Sequence, residues 1–74
     1  MSYDFPHRIK SLRIERKMNQ TELAELIGCT PNTVSRWERG ITRPNGLDLY
    51  VMSDKLGVDV RWLLGLEKSR PMIP

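Results

Sequence analysis

An all-α chain of five short helices is the architecture this sequence predicts, and three observations carry it. No segment alternates apolar and polar residues as a half-buried strand does. Capping residues and glycines recur at helix-length intervals, and the apolar side chains between them fall three and four positions apart. No internal repeat is visible. With 74 residues the chain is one domain with a single modest core, so a large buried catalytic cleft is not expected. That domain spans residues 1–66, and residues 67–74, with two prolines, form a short irregular tail.

Each element has a local reason. Helix 1 follows Asp4 as N-cap, tolerates Pro6 in its first turn and places Ile9 and Leu12 on one face, with Arg8, Lys10, Arg16 and Lys17 on the outer one. Helix 2 starts at Asn19, whose side chain accepts from the amide of Glu22 while Glu22 reaches back. Leu23, Ala24 and Ile27 are its inner stripe, and Gly28 ends it in the left-handed conformation. Helix 3 opens with Thr30 as cap and Pro31 at its first position, and runs through Val34 and Trp37 to Gly40. Residues 41–46 are a turn-rich connection. Helix 4 carries Leu49, Met52 and Leu56 and stops at Gly57. Asp59 caps helix 5, which holds the unusually apolar WLLGL.

Charge narrows the function. The net charge is +3, and its distribution is uneven. Residues 1–18 hold five cations against two acids, and residues 29–46 hold Arg36, Arg39 and Arg43 against Glu38. From Leu47 onward four cations meet four acids, so the positive excess lies in the first two thirds, where a polyanion would be met. One cysteine excludes an intramolecular disulfide and suits a reducing cytoplasm. No apolar run approaches the ~20 residues that cross a bilayer, and the first residues lack an apolar signal core, so a cytoplasmic protein is expected. Cys29 and His7 have no partners at nucleophile or metal spacing, so neither an enzyme, a metal site, a cofactor nor a small-molecule ligand is expected. Cys29 reads as a small buried hydrophobe and His7 as a surface residue.

Arg13, Gln20, Leu23-Ala24, Gly28, Val34-Ser35, Trp37-Glu38, Gly40, Pro44, Leu49, Leu56-Gly57-Val58 and Trp62-Leu63-Leu64 agree at fixed spacing between Ile9 and Gly65. On these residues the chain resembles the Cro/cI-type, lambda-repressor-like helix-turn-helix domains of phage and prophage repressors. The likeness implies that helices 2 and 3 are the motif and that helix 3 enters the DNA major groove by its amino end. Thr30, Pro31, Asn32, Thr33 and Arg36 would then meet base edges. Asn32 suits adenine, Arg36 forks onto guanine or takes a phosphate, and Pro31 or Thr33 touches a thymine methyl. Asn19, Gln20 and Thr21 would hold phosphate at the start of helix 2, with Arg8, Arg39, Thr42, Arg43 and Asn45 adding to the same backbone contact.

The resemblance also implies an Arg13–Glu38 ion pair between helices 1 and 3, which is favoured over the alternative that Arg13 simply joins the basic face. Val60, Trp62, Leu63 and Leu66 exceed what one short helix buries, and related proteins pair there, which implies a homodimer, at least on DNA. Three positions depart from the pattern. Lys17 stands at a left-handed turn that glycine or asparagine usually fills, Gly46 replaces a larger residue, and Ser53 replaces a buried alanine. No second domain is legible after Gly65, so self-cleavage and ligand sensing are not carried over. The expected function is a sequence-specific double-stranded DNA-binding regulator of transcription, repressing from a palindromic operator. The alternatives are the antitoxin of a toxin–antitoxin pair, or a protein-interaction module on the same fold, which an acidic helix 3 would have favoured.

Overall fold

The computed structural model describes residues 3–66, and the tail expected over 67–74 lies outside them. Five helices follow one another: α1 (Phe5–Glu15), α2 (Gln20–Ile27), α3 (Pro31–Glu38), α4 (Gly46–Leu56) and α5 (Val60–Leu63). α3 packs on α1 and α2, α4 rests against α2, and α5 closes the other end against α1 and α4. Phe5, Ile9 and Leu12 of α1 meet Leu23 and Ala24, Val34 and Trp37, Met52 and Leu56, Val58 and Leu63 in one core. Trp37 is its largest member, and the ring of Phe5 stands edge-on to it at 6.1 Å.

Helix ends are closed by side chains at most junctions. Asn19 Oδ1 accepts from the Glu22 amide at 2.8 Å, and Glu22 Oε1 accepts from the Asn19 amide at 2.9 Å. Asn45 and Asp48 repeat the same box at the start of α4, at 2.8 and 3.1 Å. Asp59 accepts from the Arg61 amide at 2.7 Å to open α5, and hydrogen bonds from Arg61 hold its carboxyl below the usual carboxylate range. Asp4 departs from expectation. It occupies the N-cap position at φ −92°, ψ 2°, without a side-chain cap bond. The extended conformation that aims a capping oxygen at the first free amides is absent there, and the carboxylate lies 3.9 Å from Arg8 one turn on.

The three departures from the family pattern acquire a physical content. Lys17 has φ 58°, the left-handed conformation in which its Cβ crowds the neighbouring carbonyl. Ser53 donates its hydroxyl to the Val58 carbonyl at 2.6 Å, so the polar atom that replaces an alanine methyl is satisfied and ties the end of α4 to the start of the α5 turn. Gly46 begins α4 with nothing within 4 Å of where a Cβ would stand.

Gly46→Ala is therefore expected to stabilise the fold by about 0.5 kcal/mol through a less flexible unfolded chain. Lys17→Gly should add about 1 kcal/mol by removing left-handed strain. Urea denaturation of the two variants checks both; an unchanged or lower midpoint refutes the assignment concerned.

Candidate nucleic-acid interface

The turn between α2 and α3 is three residues long. Gly28, at φ 90°, returns its amide to the Ala24 carbonyl at 2.8 Å, and the Cys29 amide reaches the same oxygen at 2.9 Å. A side chain at that φ would be strained even though space is open around it. Cys29 is half-buried against the core, and burial, with the carboxylate of Asp48 adding to it, pushes its thiol up and away from the reactive thiolate. Thr30 then caps α3, accepting from the Thr33 amide at 3.2 Å, and Pro31 fills the first turn.

This start orients α3 so that Val34 and Trp37 are buried while Pro31, Asn32 and Arg36 stand exposed. Residues 32, 33 and 36 share one outward sector of about 100°, as helical spacing requires. Thr33 is half-buried and shares a hydroxyl hydrogen bond with Thr30 at 2.9 Å, so those two hydroxyls serve the helix start first. Arg39, Thr42 and Arg43 continue the exposed surface beyond the helix. Arg39 Nε donates to the Ser35 carbonyl at 3.3 Å, and the guanidinium of Arg43 lies 4.2 Å over the ring of Tyr3.

Glu38 is held from three sides. Arg13 grips its carboxylate with two donors, Nε at 2.7 Å and Nη2 at 3.0 Å, and Gln20 Nε2 donates at 3.1 Å. Arg13 Nη1 also reaches the Met18 carbonyl at 2.9 Å. The Glu38 side chain is only 4% exposed and that of Arg13 13%. The hydrogen bond to Glu38 pushes the Arg13 guanidinium still higher than its ordinary value. Because Glu38 is the one acid of residues 29–46 and is neutralised inward, the outward charge of that stretch is Arg36, Arg39 and Arg43.

Other expected contacts are placed differently. The Arg8 guanidinium donates to the Trp62 carbonyl and lies 5.0 Å over the Trp62 ring, so in the free chain it braces α5. Leu63 is wholly enclosed in the core and is removed from the candidate dimer surface. Val60 and Trp62 are half-buried and Leu66 is 54% exposed. Asn19 and Asn45 spend their side-chain oxygens on helix starts, and Gln20 spends one amide hydrogen on Glu38. Thr21 is exposed in the first turn of α2. Tyr3, beneath Arg43, is an addition that no helical pattern announced. Among the described residues no cluster of three or more histidine, cysteine or acidic side chains is placed to hold a metal, and no helix is long and apolar enough to cross a membrane.

Two helices joined at a left-handed glycine, with the second anchored inward by Trp37 and Glu38, match the helix-turn-helix family over residues 9–63. The chain belongs to the helix-turn-helix family. It is 35% identical over 68 residues to the HTH-type transcriptional regulator DicA of Escherichia coli, covering 90% of this chain and 50% of that protein. It is 35% identical over 57 residues to the repressor protein C2 of Salmonella phage P22, covering 77% of this chain and 26% of the relative. The chain thus spans half or less of the length of these relatives. The crystal structure of the P22 c2 repressor in complex with a synthetic operator superposes with a TM-score of 0.80 at 32% identity, over 85% of this chain and 96% of that one. The fold of this helix-turn-helix chain is therefore that of a phage repressor domain, with α2 and α3 as the motif.

In this setting the Arg13–Glu38 pair has a measurable weight. Glu38→Leu strands the Arg13 guanidinium and is expected to cost about 3 kcal/mol in urea unfolding, while Arg13→Leu/Glu38→Leu recovers part of the loss because no charge is left unpaired. A double variant less stable than Glu38→Leu alone refutes this account.

Proposed function

We propose that this chain binds double-stranded DNA with sequence preference and regulates transcription, acting as a repressor on a palindromic operator in the bacterial cytoplasm. The observation that carries the reading is the outward face of α3, which is uncharged at its start, cationic further along, and backed by a fixed inward anchor. Kinship with DicA and with a repressor solved on an operator supports the same assignment.

In this reading Asn32 and Arg36 read base edges from the major groove, and the Pro31 ring offers apolar contact to a thymine methyl. Thr30 and Thr33 approach the same edges with hydroxyls already bonded to each other, which fixes their direction. Thr21, Arg39, Thr42 and Arg43 take phosphates, joined by the remaining side-chain N–H groups of Asn19, Gln20 and Asn45. The half-buried Val60 and Trp62 with the exposed Leu66 form the contact to a second copy, which sets two α3 helices about 34 Å apart on successive turns of the duplex.

Selection of bound sites from random duplexes at fixed salt tests the reading directly: a palindromic consensus is expected, and no enrichment moves the chain to the protein-interaction class. Arg36→Ala should relax preference at one base pair, losing about 1–3 kcal/mol on the selected site with little effect on random duplex. Arg43→Ala should weaken both about equally and lower the salt slope by about 1. Leu66→Glu should abolish cooperative filling of two half-sites in footprinting while leaving the melting temperature of the monomer near that of the parent, since Leu66 lies outside the core. Retained cooperativity moves the subunit contact elsewhere.

A further inference from the structure

Tyr3 precedes the first helix, yet its ring is half-buried and occupied on two sides. One neighbour is Phe5, with ring centroids 6.1 Å apart, and the other is the guanidinium of Arg43 at 4.2 Å. The Tyr3 hydroxyl is buried and has no hydrogen-bond partner among the described residues. A polar contact therefore does not hold the phenol in place; the ring does. Phe5 in turn meets Trp37 of α3 edge-on at 6.1 Å, so the platform under Arg43 is continuous with the core face of the recognition helix.

Arg43 sits in the connection between α3 and α4, outside any helix, and its side chain is exposed. A long side chain on such a segment samples many rotamers, and fixing it on a phosphate costs entropy at the moment of binding. A guanidinium resting on an aromatic face is held by the ring quadrupole, while its N–H groups stay available to oxygen acceptors. We propose that Tyr3 is a positioning residue for DNA binding: its ring pre-orders Arg43 so that the guanidinium meets the phosphate backbone already placed. The proposal rests on the reading that Arg43 takes a phosphate.

The test is a double-mutant cycle. Dissociation constants on a fluorescent duplex of random sequence are measured at fixed salt for the parent, Tyr3→Leu, Tyr3→Phe, Arg43→Ala and Tyr3→Leu/Arg43→Ala, well below each melting temperature. Tyr3→Leu is expected to weaken binding about threefold, the scale of an exposed cation–π contact, and Tyr3→Phe to change it by less than about twofold. Tyr3→Leu/Arg43→Ala should bind no more weakly than Arg43→Ala. In the free protein, the Arg43 δ-proton resonances should be shifted upfield by the ring in the parent and in Tyr3→Phe, and lose that shift in Tyr3→Leu. This second measurement needs no DNA and stands even if Tyr3→Leu folds poorly, because Tyr3→Phe must keep the shift. Equal losses from Tyr3→Leu with and without Arg43, or an absent upfield shift in the parent, overturn the proposal. Parent binding that ignores Arg43→Ala overturns it while leaving DNA binding intact. A parent that holds no duplex at all overturns the DNA-binding reading and the proposal together.

Discussion

Glu38 sits at the last position of α3, nearly sealed from solvent, with three N–H groups on its two oxygens. Two of them come from Arg13 on α1 and the third from Gln20 at the start of α2. A carboxylate so buried has to be matched this closely, because the cost of taking it out of water is offset only by good geometry and full hydrogen bonding. The consequence is architectural. Three helices that approach one another with mainly apolar surfaces could slide by fractions of a turn with small changes in buried area. A bidentate clamp at 2.7 and 3.0 Å does not permit that, and α3 is fixed in rotation as well as position.

That fixed rotation decides which side chains of α3 face outward. With Val34 and Trp37 inside and Glu38 drawn toward α1, the remaining sector belongs to Asn32 and Arg36, flanked by the paired hydroxyls of Thr30 and Thr33. The same clamp sets the electrostatics. It removes the one negative charge of residues 29–46 from the surface and leaves three arginines uncompensated within that stretch. Stability and surface field therefore come from a single interaction, and a substitution there disturbs both.

Much of this was legible because the signals are local. Asn19 with Glu22, Gly28, and Thr30 with Pro31 act within four residues of themselves, so the order and approximate limits of α2 and α3 follow from capping chemistry alone. The same grammar was present at Asn45-Gly-Leu-Asp48, where the polar loop context hid a second capping box behind a phosphate-binding reading. Illegible were the contacts between residues far apart in the chain. Arg8 looked like one more cation on a basic face, and nothing near it pointed to Trp62, fifty-four positions on. Tyr3 and Arg43 fall outside every helix, so no periodicity related them. The destination of Gln20 depended on how α2 and α3 dock, which single-helix patterns do not specify.

The end of the domain shows why a short helix resists pattern reading. α5 has four residues, barely one turn, so its apolar side chains point in nearly every direction and spacing does not say which one enters the core. Tertiary packing makes the choice: Leu63 fills the space against α1 and α4, and Trp62 is pushed to the rim. Arg8 then covers the Trp62 ring face and takes its carbonyl, which ties α5 to α1 at a point where α5 has few bonds of its own. A subunit contact of the kind proposed above must be built from what remains, the half-buried Val60 and Trp62 with exposed Leu66. Such a patch is small. By the area that stable interfaces bury, about 800 Å² from each partner, it favours association that is completed by a shared duplex over a tight dimer free in solution.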